Sequence, residues 1–264
     1  MSNLMELIGG GGVDVGYIRN ITTDESIDFK IHGTENLALL VTESATITIT
    51  RSGEYILFLS GGGGSGASSD ADTEEKGCSC GGGSGFLETR VINLTSGQEI
   101  NVLIGSGGDA VYVGGNNDHV DGNDGGNTDW NDGEIIANGG KGGLGTHTGE
   151  DLVGGDGYCR GGSVGYAYAS DGETKQCSQI LRIFQGITTE IASFEGGAGM
   201  NSSGAGYAGG GGASILANGG HGSGSRAGSG KLGSGGGGQS ADYDDVSYYS
   251  GAGGDGFALL IYKG

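Results

Sequence analysis

Proline is absent from this 264-residue chain, and positive charge is scarce: 12 lysines and arginines stand against 32 acidic residues, a formal net charge of −20. The missing proline, with no glycine at every third position, excludes collagen. The excess of negative charge repels phosphate backbones and anionic lipid, so nucleic acid and membrane surfaces are set aside as partners. Aromatic residues make up 7% of the chain and hydrophobic residues 34%, so the apolar core must be small. No apolar run is long enough for a spanning helix, and residues 1–9 lack the basic start, apolar core and small-residue cleavage site of a secretory signal. The sequons at Asn20, Asn93 and Asn201 are therefore read as chance.

Catalysis finds little support. His32, His119, His147 and His221 have no nucleophile motif beside them, Gly222-Ser-Gly-Ser-Arg226 fails as a Gly-x-Ser-x-Gly elbow, and matches elsewhere are expected by chance at this glycine content. A non-enzymatic protein is expected. Cys78-Ser-Cys80 is spaced too tightly for a zinc knuckle, and Cys159 and Cys177 have no histidine pair to complete one. A disulfide between Cys159 and Cys177, closing residues 160–176, is the candidate cross-link for an extracellular setting; the sequence leaves the other pairings open.

What the chain has instead is glycine, 66 residues of it. Glycine loses more backbone entropy on folding than any other residue, and side-chain burial alone would struggle to offset that loss here. Dense main-chain hydrogen bonding between neighbouring glycine tracts is the remaining source of stability. Glycine forms α-helix poorly and takes the extended polyproline II geometry without strain, so the tracts are expected as side-by-side extended rods; disordered loops are the competing reading.

Between the tracts lie strand-like segments. Ile27, Phe29 and Ile31 alternate with polar residues, as do Ile47 and Ile49, and residues 54–60 read as a central strand. Residues 85–93 and 98–104 read as a hairpin, and the closing strand 257–262 must find its partner far back in sequence. Ile135-Ile-Ala-Asn-Gly-Gly-Lys-Gly142 recurs as Ile215-Leu-Ala-Asn-Gly-Gly-His-Gly222, an architectural repeat in which an apolar pair anchors in a core and launches a glycine stretch. The expected fold is all-β: an antiparallel β-sandwich of jelly-roll type with polyglycine-II-like insertions and essentially no α-helix. Residues 1–45 read as N-terminal strands or an attachment segment, and 46–264 as the glycine-rich β domain, with one continuous domain as the alternative.

Leu57-Phe-Leu-Ser-Gly-Gly-Gly-Gly-Ser-Gly66, the segment Val91-Ile-Asn-Leu-Thr-Ser-Gly-Gln-Glu-Ile-Asn-Val-Leu-Ile-Gly-Ser-Gly-Gly108 and the terminal Gly251-Ala-Gly-Gly-Asp-Gly-Phe-Ala-Leu-Leu-Ile-Tyr262 together resemble the glycine-rich domains of phage tail fibre and tail-tip adhesin proteins, over roughly residues 45–264. The resemblance implies a virion or tail appendage in which rods hold loops for attachment to a host receptor or glycan. It implies other tail subunits as partners, an oligomer, and no membrane insertion. The alternative is a structural subunit of a capsid-decorating layer or extracellular filament.

The candidate contact residues are loop aromatics: Trp130, Tyr166, Tyr168, Tyr243, Tyr248 and Tyr249. Such rings offer large contact area at low entropy cost; packing of the tyrosines against the glycine rods is the competing explanation. Residues 116–132 crowd oxygen donors, and Asp121, Asn123, Asp129 and Asp132 partly echo a calcium loop. A glycine takes the fifth ligand position and the final glutamate is missing, so a solvated Asx-turn loop competes. No other cofactor is expected.

Overall fold

The computed structural model describes residues 16–19, 26–32, 38–49, 51–70, 77–114, 118–148, 150–165, 168–174, 188–189, 194–202, 206–241 and 249–262. These are all-β, with no α-helix among them and none long and apolar enough to cross a membrane. Two four-stranded sheets form a sandwich. The first runs Ala38–Val41, Phe257–Tyr262, Gly53–Ser60, Leu87–Leu94, and the second Ile135–Ala137, Thr128–Trp130, Glu99–Leu103, Ala45–Thr48. Every pairing within both is antiparallel.

Strand alternation explains the burial. Tyr55, Leu57, Leu59, Ala258, Leu260 and Tyr262 share a core with Ile47, Ile100, Val102 and Trp130 of the second sheet. The intervening Ile56, Phe58, Phe257, Leu259 and Ile261 pack on the opposite face against Ile215 and Leu216. Because successive side chains point to opposite faces, a sheet covered on both sides needs strands that are apolar throughout, as Gly53–Ser60 and Phe257–Tyr262 nearly are. The second sheet is covered on one face only: Ile47 is buried while Thr46 and Thr48 are exposed. The closing strand does reach far back, pairing Leu259 with Phe58 and with Leu40.

One expectation is overturned. Leu87–Leu94 and Glu99–Leu103 do not form a hairpin; the first pairs with Gly53–Ser60 and the second with Ala45–Thr48 and Thr128–Trp130. Leu87–Leu94 matches the eight residues of Gly53–Ser60 one for one, from Gly53 opposite Leu94 to Ser60 opposite Leu87. A local hairpin would have left that edge unpaired. The connection instead crosses between sheets, stitched by Gly97 N–H donating to Ile49 O at 2.7 Å and Ile49 N–H to Gln98 O at 2.9 Å, with Gly97 at φ +84°.

The glycine tracts are ordered rods with a repeat of three residues. Along residues 61–67, the N–H groups of Gly61 and Gly64 donate to Phe86 and Gly83, those of Gly62 and Ser65 to Gly126 and Asn123, and those of Gly63 and Gly66 to Gly254 and Gly251. Each step of three along this rod is a step of three along its neighbour, as packed three-fold extended helices require. The carbonyls face three further segments: Gly62 and Ser65 accept from Gly140 and Gly143, Gly63 accepts from Gly108, and Gly64 and Ala67 accept from Gly236 and Gln239. Residues 81–86 repeat the arrangement, donating to Gly162 and Cys159, to Gly236 and Gly233, and to Lys141 and Asn138 in three-residue steps.

These rods need glycine for space. Among the described glycines only Gly53, Gly97, Gly133, Gly206 and Gly233 take a positive φ, so apart from Gly233 the tract backbones described above sit where any L-residue is allowed. A Cβ on Gly62, Gly64 or Gly66 would overlap the main chain at Ser106, Lys141 or Gly237. Main chains approach so closely that a methyl group has nowhere to go.

The repeat spotted in the sequence anchors the rods to both faces of the first sheet. Ile215 and Leu216 are both buried on one face, as expected of the apolar pair; in the first copy Ile136 is exposed, because strand alternation turns it outward, and Ile135 and Ala137 face the inter-sheet core instead. After each, Asn-Gly-Gly enters the rods: Gly140 N–H donates to Gly62 O, and Gly220 N–H to Gly235 O. Outside this frame, Gly16–Arg19, Ser26–His32 and Thr188–Thr189 form a small sheet of their own. Residues 38–41, within the expected N-terminal segment, belong to the sandwich through their pairing with Phe257–Tyr262.

Candidate functional site: the loop-bearing end of the rods

The rods run between two ends. One is the sandwich; the other is a set of short strands capping the far ends of the tracts. Ser68–Asp70 pairs in parallel with Gln239–Ala241 and antiparallel with His119–Val120. Cys78–Ser79 pairs in parallel with Gly206–Ala208 and antiparallel with Gly145–Thr146. These directions place Asp70, Asp118, Gly206 and Ala241, the described residues bordering segments 71–76, 115–117, 203–205 and 242–248, away from the sandwich. Strand ends that are far apart in sequence are thereby gathered on one end.

Tyr249 lies here. It forms an isolated antiparallel bridge with Tyr112, supported by Ser250 N–H donating to Val111 O at 2.8 Å and Val111 N–H to Ser250 Oγ at 3.0 Å. The two rings are 5.0 Å apart at 47°, and each is about half exposed, at 52% for Tyr112 and 51% for Tyr249. Tyr112 escaped the sequence reading, although the alternation that buries Val113 and turns Tyr112 outward was present in the apolar piece 110–113. Tyr168 is exposed at 43%, next to the Val164–Gly165 strand. Tyr166, Tyr243 and Tyr248 lie outside the described residues.

Trp130 is a correction. It is 2% exposed, inside the inter-sheet core, on a strand that pairs with Val102 on one side and Ile135 on the other. The sequence placed it in a polar loop because its neighbours are Asx residues, but as the last residue of Thr128–Trp130 it points inward while Asp129 points out. Its ring is unavailable to any receptor.

The four candidate calcium ligands are used separately. Asp121 Oδ1 accepts from Gly145 N–H at 2.8 Å, Asn123 Nδ2 donates to Asp109 O at 2.9 Å, and Asp132 accepts from Asn101 Nδ2 at 3.2 Å. Asp129 sits in a strand opposite Leu103 and Ile136. Asp132 lies in the turn that follows that strand, at φ +56°, and among the described residues no three His, Cys, Asp or Glu side chains converge as a metal site. Asp124, the neighbour of this set, takes Lys141 Nζ at 2.6 Å and Gly142 N–H at 2.9 Å.

Cys177 lies outside the described residues, so the pairing proposed for it with Cys159 does too. Cys78 and Cys80 are buried with Val164 and Tyr207, and burial pushes the Cys80 thiol up to about 12. Such a thiol is a small apolar filler at neutral pH and no nucleophile.

A family model described as a glycine-rich domain matches residues 40–263. The chain belongs to the glycine-rich domain family. The match begins within the Ala38–Val41 strand and ends just after Phe257–Tyr262, so it spans the sandwich and the rods. No curated protein matches the chain.

Proposed function

We propose that this protein is a non-enzymatic appendage of a virion, a phage tail fibre or tail-tip component, that presents its loop-bearing end to a receptor or glycan on the host surface. The observation that carries this reading is the gathering of sequence-distant strand ends on the end of the rods opposite the sandwich. The hydrogen-bonded rods hold that end rigid while leaving its side chains free to differ, the arrangement expected of a binding surface on a stiff support. The exposed Tyr112, Tyr168 and Tyr249 supply contact area there. Other tail subunits would hold the sandwich end in an oligomer. The test is binding of the purified chain to host cells or cell-wall glycan, with Tyr112→Ala/Tyr249→Ala and a replacement of 242–248 by a short Gly-Ser linker. Loss of binding with an unchanged melting temperature supports the reading; binding indifferent to both changes, or none to any candidate host, overturns it.

One observation favours a second reading, a structural subunit of a decorating layer or filament. Leu103 and Ile136 flank Asp129 on the outer face of the second sheet and are 56% and 44% exposed, two apolar side chains beside a carboxylate that a neighbouring subunit could cover. Self-assembly abolished by Leu103→Asp, without cell binding in the parent, would decide for it.

A further inference from the structure

Two histidines at the loop-bearing end face each other. His119 opens the His119–Val120 strand opposite Ser69, and His147 follows the Gly145–Thr146 strand, which pairs with Cys78–Ser79. They are thus held by different sheets, 28 residues apart in sequence, yet their Nδ1 atoms are 3.3 Å apart and their ring centroids 5.5 Å apart. The rings meet edge to edge, nitrogen toward nitrogen. A glycine makes room for this: a Cβ on Gly145 would stand 3.3 Å from the His119 Cβ. Both side chains are half-buried, so the pair is oriented by its surroundings while reachable from solvent.

We propose that His119 and His147 form a two-imidazole binding site for a borderline divalent transition metal, of the class of Cu²⁺, Ni²⁺ or Zn²⁺. In the metal-free pair one Nδ1–H donates to the lone pair of the other, at a separation longer than the usual 2.9–3.0 Å or so of a nitrogen-donor bond. Two imidazole nitrogens bound at about 2.0–2.1 Å to a tetrahedral ion lie roughly 3.3–3.4 Å apart. For a tetrahedral ion, binding therefore moves the shared proton through solvent to Nε2 of its own ring, leaving two neutral imidazoles, and requires a tilt of the rings with almost no change in the distance between them. Neutral imidazole prefers these metals to calcium or magnesium. The net charge of −20, with Asp118 and Asp121 close in sequence, raises the local concentration of any cation. Asp121 already accepts from Gly145 N–H, so water completes the coordination.

The test is calorimetric titration of the full chain with Zn²⁺, Ni²⁺ and Cu²⁺ in excess magnesium, on the parent and on His119→Gln, His147→Gln and His221→Gln. His221 Nδ1 accepts from Ala198 N–H and serves as the control. The expected result is one ion per chain, affinity lowered about tenfold or more by either of the first two changes, and no effect of the third. Metal should also raise the melting temperature of the parent and of His221→Gln alone, because an ion bound only to the folded state stabilises it. Three results would overturn the proposal: no binding in the parent, binding that magnesium displaces, or binding unchanged in both His119→Gln and His147→Gln. Circular dichroism of each variant in the absence of metal separates loss of the site from loss of the fold.

Discussion

Gly64 donates its N–H to the carbonyl of Gly83 at 2.8 Å, joining two tracts that run in opposite directions between the sandwich and the loop-bearing end. Each of the two also bonds to further rods, so Gly64 and Gly83 sit inside the bundle.

Gly64→Ala should therefore unfold or severely destabilise the protein. The added methyl overlaps the main chain at Lys141, which belongs to a hydrogen-bonded rod and cannot swing aside. The expected cost is about 3 kcal/mol or more in chemical denaturation, the upper range for overpacking. Gly114→Ala is the control: the nearest atom to its added Cβ is Tyr112 Cε2 at 3.6 Å, so stability should change little. Gly97→Ala should fall between them, at about 1–2 kcal/mol, because the space is open but φ is +84°.

Hydrogen exchange should find the rods to be among the slowest-exchanging parts of the chain. Amides along 61–67, 81–86 and 235–239 are bonded to neighbouring rods on several sides and open only with the whole bundle. Rapid uptake across these segments in the native protein would show that the rods are not ordered in solution.

Trp130→Ala removes a large ring from the inter-sheet core and should cost about 3–5 kcal/mol. Host binding, where it is measured below the melting temperature, should be retained. The native tryptophan emission should be blue-shifted and move to the red on unfolding. Loss of binding without loss of stability would mean that the ring reaches the surface.

Cys80 should resist thiol reagents at pH 8 in the native state and react once denaturant is added. Its pKa is raised from 9.0 to about 12, with burial as the largest cause. The folded state thus holds this proton more tightly than the unfolded state. The Cys80 contribution to stability is constant below pH 9 and is lost as pH rises from there toward 12, which alkaline denaturation of Cys80→Ser against the parent would measure.

The all-β class, the strands at 45–48, 53–60 and 257–262, the rods and the Asn-Gly-Gly repeat were legible in the sequence, because alternation and glycine density are properties of residues close along the chain. The destination of Leu87–Leu94 was not: its turn and its alternation suit a hairpin, and only the unpaired edge of Gly53–Ser60 sends it to the other sheet. Trp130 was misplaced for a similar reason, since its polar neighbours describe the outer face of a strand whose inner face it occupies.

Glycine itself sets the limit. A tract without side chains carries no label for which tract lies beside it, so the sequence determined that rods would form and the tertiary structure decided their neighbours. Main-chain groups that must all be satisfied, and strands that must return to a common sheet, arrange the rods between two ends. That arrangement brings Tyr112 to Tyr249 and His119 to His147, pairs that no local pattern could have joined.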